Sequence, residues 1–213
     1  MESLFPPILR SFLRYKELTL FMLSCGALIR QKDSFQALAD FVKRWINPVA
    51  LTVSGSNFCH SMKVDELVAF SAPQLQVSLT CGFFMDYAQR ILVEGYTLNG
   101  NFKALLAATA QSNLARHTNL VYFSCQSQGK LTIIEFIFSH PIFRPWGFHI
   151  PPACPRCKSA RPWSKPITQS SSIIFVCTRE GCKASCRFKK PDDVEVLNAN
   201  VNGGRWMARK LSV

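Results

Sequence analysis

The sequence predicts an α/β domain with a small, partly parallel sheet and flanking helices, followed by a C-terminal zinc ribbon. Strand-length apolar runs alternate with segments of helical periodicity between residues 17 and 138. The 213 residues are 48% hydrophobic and include 17 Phe, which is enough for a sizeable core. Four cysteines in the last third have the spacing of a tetrahedral metal site. These three observations carry the prediction.

The domain is expected to begin with a strand and a helix, after an irregular lead-in over residues 1–16. Residues 17–29, which are uncharged from 18 onward and mostly apolar, are expected to form a strand, and such a run is typical of a strand buried on both faces. The apolar region of a signal peptide is the other interpretation. The long leading segment and the lack of a small-residue cleavage site favour the strand. Apolar residues at three- and four-residue steps then predict a helix over 35–46, with Ser34 as its N-cap.

The rest of the domain continues the alternation. We expect strands at 48–53, 67–72, 120–124 and 131–138, and helices at about 77–93 and 102–114. Residues 54–66 have no clear period and are either an insertion or sequence foreign to the domain. The α/β domain is therefore assigned to residues 17–138, a proline-rich linker to 139–151, and a polar tail to 191–213.

The metal module is predicted over residues 152–190. Two close cysteine pairs lie about twenty residues apart, and their thiolates suit zinc. The predicted ligands are Cys154, Cys157, Cys177 and Cys182. Cys186 is an alternative to Cys182, but Gly181 before Cys182 resembles the turn of a zinc knuckle and favours Cys182. Because four thiolates leave no position for water or substrate, we expect Zn²⁺ to be structural here.

Positive charge is concentrated in the same part of the chain. Residues 151–213 hold 12 Lys and Arg against 4 Asp and Glu, a net of +8 out of the +12 of the whole chain. Such a module suits an acidic protein surface or nucleic acid, although part of the charge also offsets the thiolates. The candidate contact residues are Arg179, Lys183, Arg187, Lys189 and Lys190. Trp163 and Phe188 either stack on bases or form the small core of the ribbon, and the core role is favoured.

The remaining cysteines do not form a disulfide framework. Outside the metal module they are scattered among apolar residues, at positions 25, 59, 81 and 125. This usage predicts an intracellular protein, cytoplasmic or nuclear. The sequence has no glycine-rich phosphate loop and no G-x-S-x-G elbow. A non-catalytic binding function is therefore favoured over an enzyme.

One short motif supports an alternative. An apolar run ends in Ser24-Cys25-Gly26, and this arrangement resembles the CHAT-type peptidases of the caspase-like superfamily. The resemblance covers about residues 17–115 and implies that Cys25 stands at the nucleophile position. In that superfamily the general base is a His on a strand before the nucleophile, but the first His here is His60. The resemblance therefore implies a truncated or degenerate copy that is inactive as it stands. The other interpretation of Cys25 is a small buried core residue.

Overall fold

The computed structural model describes residues 18–23, 26, 29, 31–46, 64–109, 113–125, 130–197 and 203–212. It confirms the predicted fold class, because a six-stranded, partly parallel sheet, a three-stranded sheet and several helices are present. Several sequence-based predictions lie outside the described residues. These are the lead-in over 1–16, the strand at 48–53, the residues around Cys25, and the segment containing Cys59 and His60.

Nine strands are found among the described residues. Those predicted at 67–72, 120–124 and 131–138 are present, with bounds shifted by up to three residues. The strand predicted over 17–29 ends at Met22, and its described side chains are half-buried or exposed at the edge of the sheet, so the prediction of a strand buried on both faces is wrong. The strands at Ile167–Thr168, Glu195–Val196 and Arg205–Lys210 were not predicted.

The nine strands are β1 (Leu18–Met22), β2 (Val64–Phe70), β3 (Leu120–Cys125), β4 (Leu131–Ser139), β5 (Ile167–Thr168), β6 (Ser172–Val176), β7 (Ser185–Lys189), β8 (Glu195–Val196) and β9 (Arg205–Lys210). The large sheet has the order β1-β2-β3-β4-β9-β8, and the small sheet has the order β5-β6-β7. β1 and β2 run parallel, whereas β3 is antiparallel to β2 and β9 is antiparallel to β8.

The helices follow the predicted periodicity but begin or end a few residues away from the expected points. They are α1 (Lys32–Ile46), α2 (Cys81–Tyr87), α3 (Leu98–Thr109) and α4 (Asn113–His117). A π-helical segment, Ala88–Val93, continues α2 and is followed by Gly95 with a φ of +76°. Ser34 is not the N-cap of α1, because the helix begins two residues earlier and the Ser34 hydroxyl donates to Gln31 Oε1.

The described residues divide into two compact units. The first comprises the described residues within 1–77, 118–135 and 210–213, and the second comprises those within 78–117 and 136–209. In the first unit, α1 connects the parallel strands β1 and β2. Its apolar face packs on side chains of β2 and β3 that point to one side of the sheet. The buried residues of this core are Leu38, Ala39, Val42, Leu67, Ala69, Val121, Phe123 and Ile133.

The core of the second unit joins strand β6 to residues before and after it in the chain. Its buried members are Ile137, Trp146, Ile173, Phe175, Val194 and Met207. The predicted linker therefore contributes a buried Trp, and the segment predicted as a polar tail contains β9. Trp206 in β9 is fully buried, and its Nε1 donates to the carbonyl oxygen of Leu106. The second unit contains both 139–151 and 152–190. The division of this stretch into a linker and a separate ribbon domain therefore stays a prediction.

Candidate metal centre

The first cysteine pair lies on a tight backbone knuckle. The amide of Lys158 donates to the carbonyl oxygen of Cys154 at 2.9 Å, and the amide of Cys154 donates to the carbonyl oxygen of Ser159 at 2.9 Å. Lys158 has a φ of +59°, a conformation that side chains other than glycine adopt rarely. The backbone thus turns sharply around the pair, and this turn brings Cys154 and Cys157 to the same side.

The second pair lies on a similar knuckle that begins where β6 ends. The amide of Cys182 donates to the carbonyl oxygen of Arg179 at 3.0 Å. Gly181, directly before Cys182, has a φ of +73°, and glycine adopts this conformation without steric cost. Cys177 directly follows β6, and its amide donates to the carbonyl oxygen of Ala184 at 2.8 Å. The glycine that favoured Cys182 in the sequence therefore serves a turn in the structure.

Backbone hydrogen bonds hold the two knuckles against each other. The amide of Thr178 donates to the carbonyl oxygen of Pro162, and Trp163 forms a β-bridge with Cys177. The Arg179 guanidinium donates to the Ser159 hydroxyl at 2.8 Å and so links the second knuckle to the first. Trp163 is anchored in turn, because its Nε1 donates to the carbonyl oxygen of Pro151 at 2.7 Å.

The four predicted ligands converge on one point. All four Sγ atoms lie within 4.8 Å of one another. The Cys154 and Cys182 sulfurs are 3.8 Å apart, and the Cys157 and Cys177 sulfurs are 3.7 Å apart. A tetrahedron with metal–sulfur bonds of about 2.3 Å has sulfur–sulfur edges of about 3.8 Å. The four thiols are therefore placed as the ligands of one tetrahedral metal ion would be.

Burial and hydrogen bonding affect the thiols differently. Cys154 and Cys177 are buried, with 0% and 5% of their surface exposed. Burial raises the pKa of Cys177 to about 12, because the thiolate loses its hydration. Hydrogen bonds from the side chain and the backbone of Ser159 lower the pKa of Cys157 to about 6. Cys154 and Cys177 form no disulfide bond. A cation bound between their buried sulfurs stabilises the thiolate form of both.

Cys186, the alternative ligand, is not part of this sulfur cluster. It is the second residue of β7, lies opposite Phe175 of β6, and is half-buried. Its pKa is raised, mainly by burial and further by the negative charge of Cys154. Cys186 is therefore a neighbour of the metal centre, and it offers a matched control for substitutions of the four ligands.

The candidate contact cations lie on the second knuckle and along β7, which follows it. Arg179, Lys183, Arg187 and Lys189 are exposed, and Lys190 is half-buried. In the part of the chain that the structure describes, no Lys or Arg between 152 and 190 forms an ion pair. Trp163 and Phe188 pack against the core of the second unit, as their core role predicts. Sequence reasoning missed Ser159, because a serine two residues after a cysteine is not a recognisable signal.

No protein family model, curated protein or solved structure matches this chain, and the CHAT-type resemblance finds no support among them. Within the described ranges, every helix is too short or too polar to cross a lipid bilayer.

Proposed function

We propose that this protein is a non-catalytic zinc-binding protein whose ribbon serves as an interaction module for an acidic partner, either a protein surface or a nucleic acid. The observation that carries the proposal is the convergence of four Sγ atoms within 4.8 Å of one another. Four thiolates suit zinc, although iron is also bound by such sets. The metal identity is therefore part of the proposal and of its test.

A structural role for the metal follows from the ligand set. With four thiolates bound, a tetrahedral ion has no open position at which water or a substrate could react. The two ligand pairs are separated by a hairpin that also carries Ile173 and Phe175 into the core of the second unit. Binding of the metal therefore stabilises the turn geometry and, through β6, the packing of these two side chains.

An acidic partner is favoured by the charge of the ribbon. Residues 152–190 contain nine Lys and Arg and one acidic residue, Glu180, a formal net of +8. A zinc ion with four thiolates carries a charge of −2, so about +6 remains after the metal centre is compensated. The candidate contact residues are those named from the sequence, namely Arg179, Lys183, Arg187, Lys189 and Lys190.

Metal analysis of the purified full-length chain tests the metal part of the proposal. We expect about one equivalent of zinc per chain and a colourless protein, because an iron–sulfur or iron–thiolate centre absorbs visible light. Removal of the metal by a chelator should make the 152–190 segment sensitive to limited proteolysis. A purified protein without bound metal, or one whose cleavage pattern is the same with and without chelator, would contradict the proposal.

The second candidate function is a cysteine peptidase with Cys25 as its nucleophile. One structural observation favours it. β1 and β2 are parallel and are connected through α1, and Cys25 follows β1 by three residues. The carboxyl ends of parallel strands are where ligands and nucleophiles gather in open α/β sheets.

An electrophilic thiol probe at neutral pH distinguishes the two candidates. Cys81 is exposed and will react, so the experiment uses a Cys81→Ser background. Under the binding proposal Cys25 is modified slowly and without selectivity. Fast, selective modification of Cys25 would favour the peptidase, since a reactive thiol needs a lowered pKa or an adjacent base.

A further inference from the structure

We infer that the ribbon binds single-stranded nucleic acid, with phosphates on the cations of β7 and a base stacked on Phe148. The inference rests on the proposed function, because it requires the folded, metal-bound ribbon. Two separate features of the second unit support it. One is the charged outer edge of β7, and the other is an exposed aromatic ring that packs against the same strand.

The outer edge of β7 is open. The amide of Lys190 donates to the carbonyl oxygen of Ser171, and the amide of Cys177 donates to the carbonyl oxygen of Ala184. In this antiparallel pairing the backbone N–H and C=O groups of Cys186 and Phe188 therefore face β6. Those of Ser185, Arg187 and Lys189 face away from it. Among the described residues, none forms a backbone hydrogen bond with these three outward positions. Strand β7 is also the last strand of the small sheet.

The side chains along this edge form a row of cations. The exposed positions of β7 alternate with half-buried ones, so Arg187 and Lys189 both extend into solvent. Lys183 precedes them on the second knuckle and is also exposed. Alternate residues of a strand are about 7 Å apart, so Arg187 and Lys189 place two charges at this spacing along the edge, and Lys183 adds a third before the strand begins. Two cations spaced along a strand fit a backbone that carries one negative charge per repeat unit.

Phe148 supplies the second feature. It is 47% exposed, and its ring stacks on Phe188 of β7 with the ring centroids 6.1 Å apart and the planes 29° apart. Phe188 is held in turn by Phe175, which it meets edge to face at 5.9 Å. The exposed ring therefore rests on the half-buried Phe188, which is packed in turn on the buried Phe175. Because successive side chains of a strand point to opposite faces, the Phe148 ring and the cations Arg187 and Lys189 lie on opposite faces of β7. An unpaired base can stack on the ring while the phosphates reach the cations if the nucleic acid crosses the open edge of β7.

The two features together favour a single strand over the other polyanions. A duplex satisfies the cations, but its bases are stacked on one another and offer no free face to Phe148. An acidic peptide also satisfies the cations, but it has no planar base to stack on Phe148. Only an unpaired strand that crosses the edge of β7 uses both the charges and the ring.

The test is a titration of the zinc-loaded full-length chain into a labelled single strand of about 15 nucleotides, followed by fluorescence anisotropy at several salt concentrations. We expect the affinity to fall steeply with salt. The double variant Arg187→Glu/Lys189→Glu should reduce the slope of log K against log salt by about 1.4, which corresponds to two lost phosphate contacts. The matched control, Lys103→Glu/Lys130→Glu, makes the same charge change at exposed positions outside the ribbon and should leave the slope unchanged.

Substitution of the ring gives an independent readout. Phe148→Ala should weaken binding of the single strand by about 5- to 150-fold without changing the salt slope, and Phe148→Trp should retain it. The inference is overturned if a duplex of the same length binds as tightly, or if Phe148→Ala has no effect. It is also overturned if polyglutamate of equal charge competes as well as the unlabelled strand, which would indicate an acidic protein partner.

The same samples separate the inference from the proposed function. A chain that holds zinc and resists proteolysis in the ribbon, yet does not bind the oligonucleotide at low salt, refutes the inference and leaves the proposed function intact. A chain that holds no metal refutes the proposed function and removes the basis for the inference.

Discussion

Replacement of Cys177 by serine is the sharpest perturbation of the metal centre. Cys177 is 5% exposed, directly follows β6, and lies 3.7 Å from the sulfur of Cys157. Serine preserves the size of the side chain but removes a soft anionic ligand from the tetrahedral set. We therefore expect Cys177→Ser to lose zinc affinity and, with it, the order of the two knuckles.

The size of the loss follows from the ligand count. Structural zinc sites in small modules contribute about 10–16 kcal/mol of apparent binding free energy near pH 7. If the four thiolates contribute equally, the loss of one costs about 2.5–4 kcal/mol, which corresponds to an affinity lower by a factor of about 10² to 10³. The buried ribbon side chains Ile173 and Phe175 contribute about 1.5–3 kcal/mol each, which is less than the metal supplies. The ribbon should therefore lose its order when the metal is lost.

The assay is competition for zinc with a chromogenic chelator, combined with limited proteolysis of the apo and zinc-loaded forms. Cys186→Ser is the matched control, because Cys186 is a half-buried thiol on the adjacent strand but not one of the four clustered sulfurs. It should keep about one zinc per chain with an affinity within a few-fold of the unmodified protein. The reasoning is refuted if Cys177→Ser binds zinc as tightly as the unmodified chain, or if Cys186→Ser loses as much affinity as Cys177→Ser.

Three further predictions follow from the same structure. Zinc affinity should fall with decreasing pH, because protons compete with zinc for the thiolates. Cys177, with a pKa of about 12, is protonated in the free protein throughout the neutral range and releases a proton on binding zinc there. Cys157, with a pKa of about 6, adds about one further proton to the slope only below about pH 6. A slope of log affinity against pH that does not steepen near pH 6 in a competition titration would count against this assignment. Gly26→Ala should lower the free energy of unfolding by about 1–3 kcal/mol in denaturant titrations, because the added methyl group would overlap the carbonyl oxygen of Ser71. The control Gly82→Ala has open space around the added methyl group and should cost nothing, and equal losses in the two variants would contradict the expected clash. Trp163→Phe should cost about 1 kcal/mol by the same measurement, since Trp163 loses its hydrogen bond to Pro151, and an unchanged midpoint would exclude that contribution.

The sequence anticipated those parts of the fold that depend on local patterns. The three- and four-residue spacing of apolar side chains in α1 places Leu38 and Val42 on the buried face, as an amphipathic helix requires. The strand β6 also has a local pattern, because an apolar run rich in β-branched residues directly precedes the second cysteine pair. The local sequence pattern did not predict β9. Its buried residues Trp206 and Met207 stand between charged residues, and one of its two partner strands, β4, is distant in the chain.

For the metal centre, the sequence by itself determined the residue types, their spacing and the preference for Cys182, because a knuckle is set by a few consecutive residues and by the glycine that its turn needs. Only the tertiary structure decided that the four sulfurs meet, that Cys186 lies outside the cluster, and that Phe148 remains exposed against Phe188. The physical reason is that these facts depend on the hairpin that closes between the two pairs and on strand pairing across it. Such pairings join residues that are far apart in the chain, and no short pattern records them.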